Sequence, residues 1–187
     1  MKLTIVIPVH NHKDNILKTI EEAKNIQLDK EIIVVDNCST DGTREILKTL
    51  SGNAVKIVYQ SRNYGYGMSV VTGMNLAQGE YLFIHNPELG NDFKRVYEML
   101  DLAEKESLDA VFEPRLLGKN FGMVIYAALV SLFCGRDFSD INGNRLYRTA
   151  SLRKLDPKAS NIGFNFKVTR KLCRDGFKVK EVPVGRG

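Results

Sequence analysis

The chain alternates short, continuously apolar runs with longer segments in which apolar residues recur at helical spacing. Five runs have the composition of strands that are buried on both faces: Leu3–Pro8, Glu31–Asp36, Val55–Tyr59, Tyr81–His85 and Ala110–Glu113. After the first run, Ile16, Ile20 and Ala23 fall on one face of a predicted helix. We expect Thr40–Asp41 to cap the next helix, because short polar side chains accept hydrogen bonds from its first N–H groups.

This alternation predicts the fold class. Two further helices, Met68–Ala77 and Phe93–Ala103, extend the series. Such a series indicates an α/β protein, a three-layer α/β/α sandwich around a mostly parallel, Rossmann-like sheet. Beyond residue 113, four less regular elements follow: an apolar helix near 121–134, a strand at Arg145–Arg148, a helix near 164–175 and a strand at Lys178–Val182. No repeat or linker interrupts the chain, so we expect one domain over residues 1–187.

Charge is distributed unevenly between the two parts of this domain. The chain has 187 residues and a composition ordinary for a globular protein, which excludes collagen-like and disordered classes. Residues 1–112 carry 12 Lys/Arg and 16 Asp/Glu, whereas residues 113–187 carry 15 and 6, which makes the second part strongly basic. A basic half points to an anionic partner, either a phosphate group or a membrane surface. Nucleic acid is not expected, because no nucleic-acid-binding motif is present.

The cysteines suggest a reducing environment. Cys38, Cys134 and Cys173 are odd in number and have no CxxC spacing, so we expect neither zinc nor a disulfide framework. Met1 leads directly into a strand without a signal-peptide pattern. These features predict a cytoplasmic protein. The basic second part of the chain suggests, as an alternative, that the protein attaches peripherally to the cytoplasmic face of a membrane.

Polar residues follow the predicted strands, where parallel sheets bind their ligands. The first strand leads into PVHNHKDN, which lacks the glycines that a dinucleotide-binding turn requires, and no GxxxxGK[ST] motif occurs. NAD-binding and P-loop functions are therefore excluded. Glycines, amides and a carboxylate at the other strand ends still favour a polar ligand of nucleotide size.

Six stretches in order resemble family-2 glycosyltransferases of the GT-A fold: IPVHNHKDNI (7–16), VVDNCSTDGT (34–43), RNYGYG (62–67), GEYLFIHNPEL (79–89), GNRLYR (143–148) and GFKVKEVPV (176–184). The later ones most resemble polyprenyl-phosphate hexosyltransferases such as dolichyl-phosphate mannose synthase. The resemblance implies transfer of a hexose from a GDP- or UDP-sugar to a polyprenyl or dolichyl phosphate, with inversion. Two alternatives are a carbohydrate hydroxyl acceptor in surface polysaccharide synthesis and a catalytically weakened descendant that binds nucleotide-sugars.

The resemblance implies a nucleotide-sugar site in residues 1–112. Pro8, His10 and His12 would line the nucleotide, and Gly65 would let the backbone approach the donor. Asp36 would accept hydrogen bonds from the base or ribose. The alternative for Asp36 is a loop carboxylate that caps a helix.

The resemblance also implies a metal site, but the sequence departs from the family there. Asn86 and Glu88 stand where the family has Asp-x-Asp, which holds Mg²⁺ or Mn²⁺ against the diphosphate. His12 replaces a Glu, and Asn165 and Lys167 lie where acidic residues are usual. We therefore expect Asn86 and Glu88 to bind the nucleotide-sugar and to hold a divalent cation only weakly.

Residues 113–187 would form the acceptor side. Arg115, Lys119 and Arg145 are the candidates for contact with an acceptor phosphate, since Arg pairs well with phosphate oxygens. The alternative for Arg145 is a structural role in bracing its strand. Arg115 and Asp140 are the catalytic candidates, with Asp140 acting as general base or orienting the sugar. The apolar helix near 121–134 is expected either in the core or at a bilayer interface.

Overall fold

A computed structural model describes residues 1–50, 55–86, 93–114, 121–135, 137–158 and 163–182. Its seven strands are β1 Leu3–Val9, β2 Lys30–Asp36, β3 Val55–Tyr59, β4 Tyr81–Ile84, β5 Ala110–Phe112, β6 Arg145–Arg148 and β7 Val179–Glu181. Its seven helices are α1 Ile16–Lys24, α2 Thr43–Thr49, α3 Tyr66–Leu76, α4 Arg95–Lys105, α5 Phe121–Cys134, α6 Thr149–Leu155 and α7 Phe164–Arg174. All the strands predicted from the sequence are present within one or two residues at each end.

The strands form one sheet in the order β3-β2-β1-β4-β6-β5-β7. Strands β1 to β4 are parallel to one another, and β5 is parallel to β7. Strand β6 runs antiparallel to both β4 and β5. The sheet is therefore mixed but mostly parallel, as predicted, and it includes strands from both parts of the chain.

Two separate cores cover the two faces of this sheet. Residues of α1, α2 and α4 pack on one face, around Ile5, Ile7 and Val34. Residues of α3, α5, α6 and α7 pack on the other, around Val6, Val35 and Tyr147. This arrangement confirms the predicted three-layer α/β/α sandwich. Helix α6 was not predicted, because it is short and its buried face includes Thr149 and Ser151 as well as leucines.

Cys134 and Cys173 are joined by a disulfide, with their Cα atoms 5.1 Å apart. This disulfide contradicts the expectation, drawn from the number and spacing of the cysteines, that no disulfide framework is present. The two cysteines lie 39 residues apart in sequence, and the packing of α5 against α7 brings them together. Cys38 is a free thiol.

Helix α5 is buried on one side and exposed on the other. Val130 and Ala127 are buried against the sheet, whereas Leu132 and Phe133 are 77% and 56% exposed. In the part of the chain that is described, no helix is both long and apolar enough to cross a membrane. Helix α5 is thus partly a core helix and partly an exposed apolar surface.

Candidate functional site

A cavity of about 310 Å³ opens at the carboxyl ends of β1 to β4. The strand order reverses between β1 and β4, which is the position where open α/β sheets bind ligands. Ten residues line the cavity: Pro8, Val9, His10, His12, Asn37, Asn63, Gly65, Tyr66, Ser69 and Asn86. Five of the predicted donor-site residues are therefore together: Pro8, His10, His12, Gly65 and Asn86.

The loops that follow β1 and β2 hold each other in place beneath this cavity. The backbone N–H of Asn11 donates to Ser39 Oγ at 2.9 Å, and Thr40 N–H donates back to Asn11 Oδ1 at 2.8 Å. His12 N–H donates to Thr43 Oγ1 at 2.8 Å. Asn11 has a φ of 55°, a conformation that asparagine tolerates better than most residues. These bonds fix the backbone from which His10 and His12 project.

Asp41 completes the connection between the two loops. Its carboxylate accepts hydrogen bonds from Lys13 N–H at 3.0 Å and from the N–H and hydroxyl of Thr43 at 3.0 and 2.6 Å. Although desolvation acts in the opposite direction, these hydrogen bonds lower the pKa of Asp41 to about 2. Asp41 thus serves the turn and the start of α2, while Gly42 occupies the N-cap with a φ of 101°.

Asp36 lies beneath the cavity rather than in its lining. It has no exposed surface, and Arg44 donates to its Oδ2 at 2.7 Å while Ser39 N–H donates to its Oδ1 at 3.2 Å. Arg44 also donates to the carbonyl of Gln60, which ties α2 to the end of β3. The predicted contact of Asp36 with a base or ribose does not agree with this position. The next residue, Asn37, faces the cavity instead.

A chain of side chains crosses the cavity wall from β2 to β1. Asn37 Nδ2 donates to Asn63 Oδ1 at 2.8 Å, and Asn63 Nδ2 lies 3.3 Å from His10 Nε2. Asn37 Oδ1 accepts from Tyr64 N–H, and Asn63 Oδ1 also accepts from Gly65 N–H. Gly65 has a φ of 83° at the N-cap of α3, which a glycine adopts without strain. Neither Asn37 nor Asn63 was among the predicted site residues, although Asn37 directly follows β2 and Asn63 lies in the loop after β3.

The far wall of the cavity is formed by Asn86, which is fixed by two residues of the loop before β6. Its backbone N–H donates to Asn144 Oδ1 at 2.7 Å, and its Nδ2 donates to the carbonyl of Asn142 at 2.7 Å. Asn165 of α7 donates to Asn142 Oδ1 at 3.0 Å. Asn86, the first residue of the predicted metal motif, is thus held in place by hydrogen bonds to Asn142 and Asn144.

Asp140 belongs to the same loop but lies outside the lining of the cavity. It is 5% exposed, and its Oδ1 accepts from the N–H of Asn142 at 3.0 Å. The backbone N–H of Asp140 donates to Glu181 Oε1 at 3.0 Å. In this position Asp140 shapes the loop that holds Asn86.

Arg145 is buried in the second core, which contradicts its predicted contact with an acceptor phosphate. It is 1% exposed, its guanidinium lies over the ring of Phe112 at 5.1 Å, and it donates to the Tyr147 hydroxyl at 3.1 Å. A phosphate outside the protein cannot reach a group covered in this way.

Glu88, Arg115 and Lys119 lie outside the described residues.

The described donors fit a hard divalent cation poorly. The lining offers imidazole and amide groups and, among the residues described, no carboxylate. The described residues also contain no cluster of three His, Cys, Asp or Glu side chains that could hold a metal. Mg²⁺ and Mn²⁺ prefer sites rich in carboxylate oxygens. The same amide and imidazole N–H groups are, in contrast, suitable donors to the oxygens of a nucleotide diphosphate.

Known proteins resemble this chain in sequence. Undecaprenyl-phosphate 4-deoxy-4-formamido-L-arabinose transferase of Proteus mirabilis is 28% identical over 117 residues, 59% of this chain and 36% of that protein. The low-salt glycan biosynthesis hexosyltransferase Agl6 of Haloferax volcanii is 22% identical over an alignment of 198 residues, 97% of this chain and 47% of that protein. The chain thus spans less than half the length of these two curated relatives.

A solved structure and a family model identify the fold and the family. Glucosyl-3-phosphoglycerate synthase from Mycobacterium tuberculosis, solved with Mn²⁺, uridine diphosphate and phosphoglyceric acid, superposes with a TM-score of 0.74 at 18% identity. The match covers 96% of this chain and 67% of that chain, which confirms the predicted GT-A fold. The family model described as Glycosyl transferase family 2 matches residues 4–173. This chain therefore belongs to glycosyl transferase family 2.

Proposed function

We propose that this protein transfers a hexose from a nucleotide-diphosphate sugar to a polyprenyl phosphate with inversion. The observation that carries the proposal is the cavity at the carboxyl ends of β1 to β4, lined by amides and imidazoles, in a chain of family 2. The cavity is of a size suited to part of a nucleotide-sugar, and its N–H groups complement phosphate oxygens.

In the proposed reaction, an oxygen of the acceptor phosphate attacks the anomeric carbon of the sugar. The bond from that carbon to the diphosphate breaks, and the electron pair leaves with the nucleoside diphosphate. His10, Asn37 and Asn63 would stabilise the leaving group, since they form a connected and preorganised set of polar groups in the cavity wall. Residues 113–187 would position the acceptor.

A phosphate acceptor agrees with the position of Asp140 better than a hydroxyl acceptor does. A phosphate is already ionised at neutral pH, so its attack requires no general base. Asp140 is buried and bonded within its own loop, which does not suit a base that must meet a substrate hydroxyl. The name of the Proteus mirabilis relative, an undecaprenyl-phosphate transferase, supports the same choice.

We further propose that the protein works peripherally at a membrane, through one surface made by α5 and α7. Ile125, Leu129, Leu132 and Phe133 of α5 are all exposed, by 44% to 77%. Beside them, Arg170 of α7 is an exposed cation whose guanidinium lies 5.6 Å from the Phe133 ring centroid, and Lys167 is a second exposed cation of the same helix. An apolar stripe next to cations is the pattern that binds the interface of an anionic bilayer.

Co-sedimentation with vesicles tests this surface. The double change of Leu132→Ser and Phe133→Ser should reduce binding to vesicles that contain phosphatidylglycerol at least severalfold, because it removes the apolar contact. Leu17→Ser is the matched control, since Leu17 is 46% exposed on α1, on the other face of the sheet. Equal loss of binding in the control, or no binding by the unchanged protein, would contradict the membrane surface.

Titration calorimetry with UDP and with GDP tests the donor site. We expect one nucleotide to bind, with Mn²⁺ strengthening the binding only slightly, because the described lining lacks a carboxylate. Absence of binding to both nucleotides contradicts the proposed donor site. A strong dependence on Mn²⁺ contradicts weak metal binding and would assign Glu88 a larger role.

Transfer from UDP- and GDP-hexoses to undecaprenyl phosphate in detergent tests the acceptor. Asp140→Asn should keep most of the turnover, since a phosphate needs no base and the amide oxygen still accepts from Asn142 N–H. Transfer to a carbohydrate hydroxyl that Asp140→Asn abolishes would favour the polysaccharide alternative. Nucleotide-sugar binding without transfer to either acceptor would favour the non-catalytic descendant.

A further inference from the structure

Glu181, at the end of β7, holds the start of the loop that precedes β6. Its carboxylate accepts from Ser139 N–H at 3.0 Å to each oxygen, from the Ser139 hydroxyl at 2.7 Å, and from Asp140 N–H at 3.0 Å. Three donors from two consecutive residues therefore converge on one ionised group. Hydrogen bonds to a charged acceptor are stronger than neutral ones, so this end of the loop is firmly anchored.

The anchored loop reaches the cavity through a continuous series of hydrogen bonds. The Asp140 carboxylate accepts from Asn142 N–H at 3.0 Å, and the Asn142 carbonyl accepts from Asn86 Nδ2 at 2.7 Å. Asn144, at the other end of the loop, accepts from Asn86 N–H. The orientation of the Asn86 amide in the cavity wall thus depends on the position of residues 139–144.

We infer that Glu181 is a positioning residue for the nucleotide-sugar site, acting through residues 139–144 on Asn86. The inference rests on the proposed function, because it takes the cavity as the donor site. Glu181 does not line the cavity. Its effect on a ligand there is transmitted by the orientation of Asn86, as groups behind direct ligands commonly act.

The neighbouring residue on β7 offers a matched comparison. Lys180 forms an ion pair with Glu106 at 2.6 Å, after the end of α4. Glu106→Gln removes that pair and leaves the loop of residues 139–144 unchanged. Glu181→Gln preserves the shape of the side chain but replaces one carboxylate oxygen by an NH₂ group. This NH₂ group is a donor, and it would face the N–H and hydroxyl donors of Ser139 and Asp140.

Hydrogen exchange in the ligand-free protein tests the first half of the inference. Glu181→Gln should accelerate amide exchange in residues 139–144 and at Asn86, whose N–H is bonded to Asn144, whereas Glu106→Gln should not. Unchanged exchange at Asn86 would overturn the inference. This measurement requires no nucleotide, so it remains decisive even if the proposed donor site fails the calorimetric test.

A double-mutant cycle with UDP and GDP tests the second half. Glu181→Gln should weaken binding of the favoured nucleotide by about 10-fold, in the range for groups that orient a ligand contact. In an Asn86→Ala background the same change should have almost no further effect, because Asn86 carries the coupling. Fully additive losses would show that Glu181 acts on general stability and would overturn the inference. If Glu181→Gln unfolds the protein, Ser139→Ala, which removes only the hydroxyl bond, takes its place in the cycle.

Discussion

The guanidinium of Arg44 closes over the carboxylate of Asp36, with Nε 2.7 Å from Oδ2. Asp36 ends β2 at the edge of the cavity, yet its side chain has no exposed surface. The pair therefore joins α2 to the sheet beneath the site, and the carboxylate that the sequence offered as a nucleotide ligand has a structural role in this fold.

Arg44→Met should destabilise the protein by about 3–5 kcal/mol, because it leaves the buried Asp36 carboxylate without its cationic partner. Urea unfolding measures the loss. Lys48→Met is the control, since Lys48 is exposed on the same helix and should change stability by less than about 0.5 kcal/mol. A small effect of Arg44→Met would contradict a stabilising role for this ion pair.

The alternation of side chains along a strand explains why Asp36 was assigned the wrong neighbours. Residues two apart share a face, so Asp36 follows Val34 onto the face covered by α1 and α2, where Arg44 lies. The same rule places Arg145 with Tyr147 in the second core. The strand pattern therefore indicates which face of the sheet Asp36 and Arg145 occupy, whereas the motif resemblance does not.

Asn86→Asp should change the metal dependence of nucleotide binding. A carboxylate at this position restores a hard oxygen ligand but loses the Nδ2 hydrogen bond to the Asn142 carbonyl. We expect weaker nucleotide binding without metal and a gain of about 10-fold or more on adding Mn²⁺, measured by calorimetry. Equal Mn²⁺ effects in the variant and the unchanged protein would contradict this account of the site.

Asp41→Asn should destabilise the protein at neutral pH and have little effect in strong acid. The pKa of Asp41 is lowered from its ordinary value of 3.8 to about 2 in the folded protein, so its stabilising effect is present above about pH 4. It is lost as the pH falls towards 2. Thermal melts of both proteins at pH 7, 4 and 2.5 should show a difference in Tm that shrinks with acidity. A difference that is constant with pH would exclude a contribution from ionisation.

Loss of the Cys134–Cys173 disulfide should lower the free energy of unfolding by about 4 kcal/mol, given the sequence separation of 39 between the cysteines. The double change to serine and reduction by dithiothreitol should have similar effects in urea unfolding. Cys38→Ser should leave stability nearly unchanged, since Cys38 is a free thiol. If dithiothreitol has no effect on the unchanged protein, the two thiols are not bonded in solution.

Local patterns were sufficient for most of the fold, whereas contacts between distant segments were not predictable. The apolar runs gave β1 to β5 because each is a continuous local signal. The disulfide depends on the packing of α5 against α7. The hydrogen bond that Asn86 donates to Asn144 joins two loops that lie nearly sixty residues apart in the sequence. Asn37 and Asn63 could have been proposed from their places after strand ends, but their contact with each other requires the neighbouring strands to be in register.

The place of β6 in the sheet has a consequence for the order in which the chain folds. Strands β1 to β4 pair among themselves, so the first part of the sheet can form as soon as residue 84 is available. In the described sheet, β5 has only β6 and β7 as neighbours, and both come later in the chain. During synthesis β5 therefore has no strand partner until β6 has been made. We expect the second part of the sheet to be the slow step of folding and the stage most exposed to aggregation.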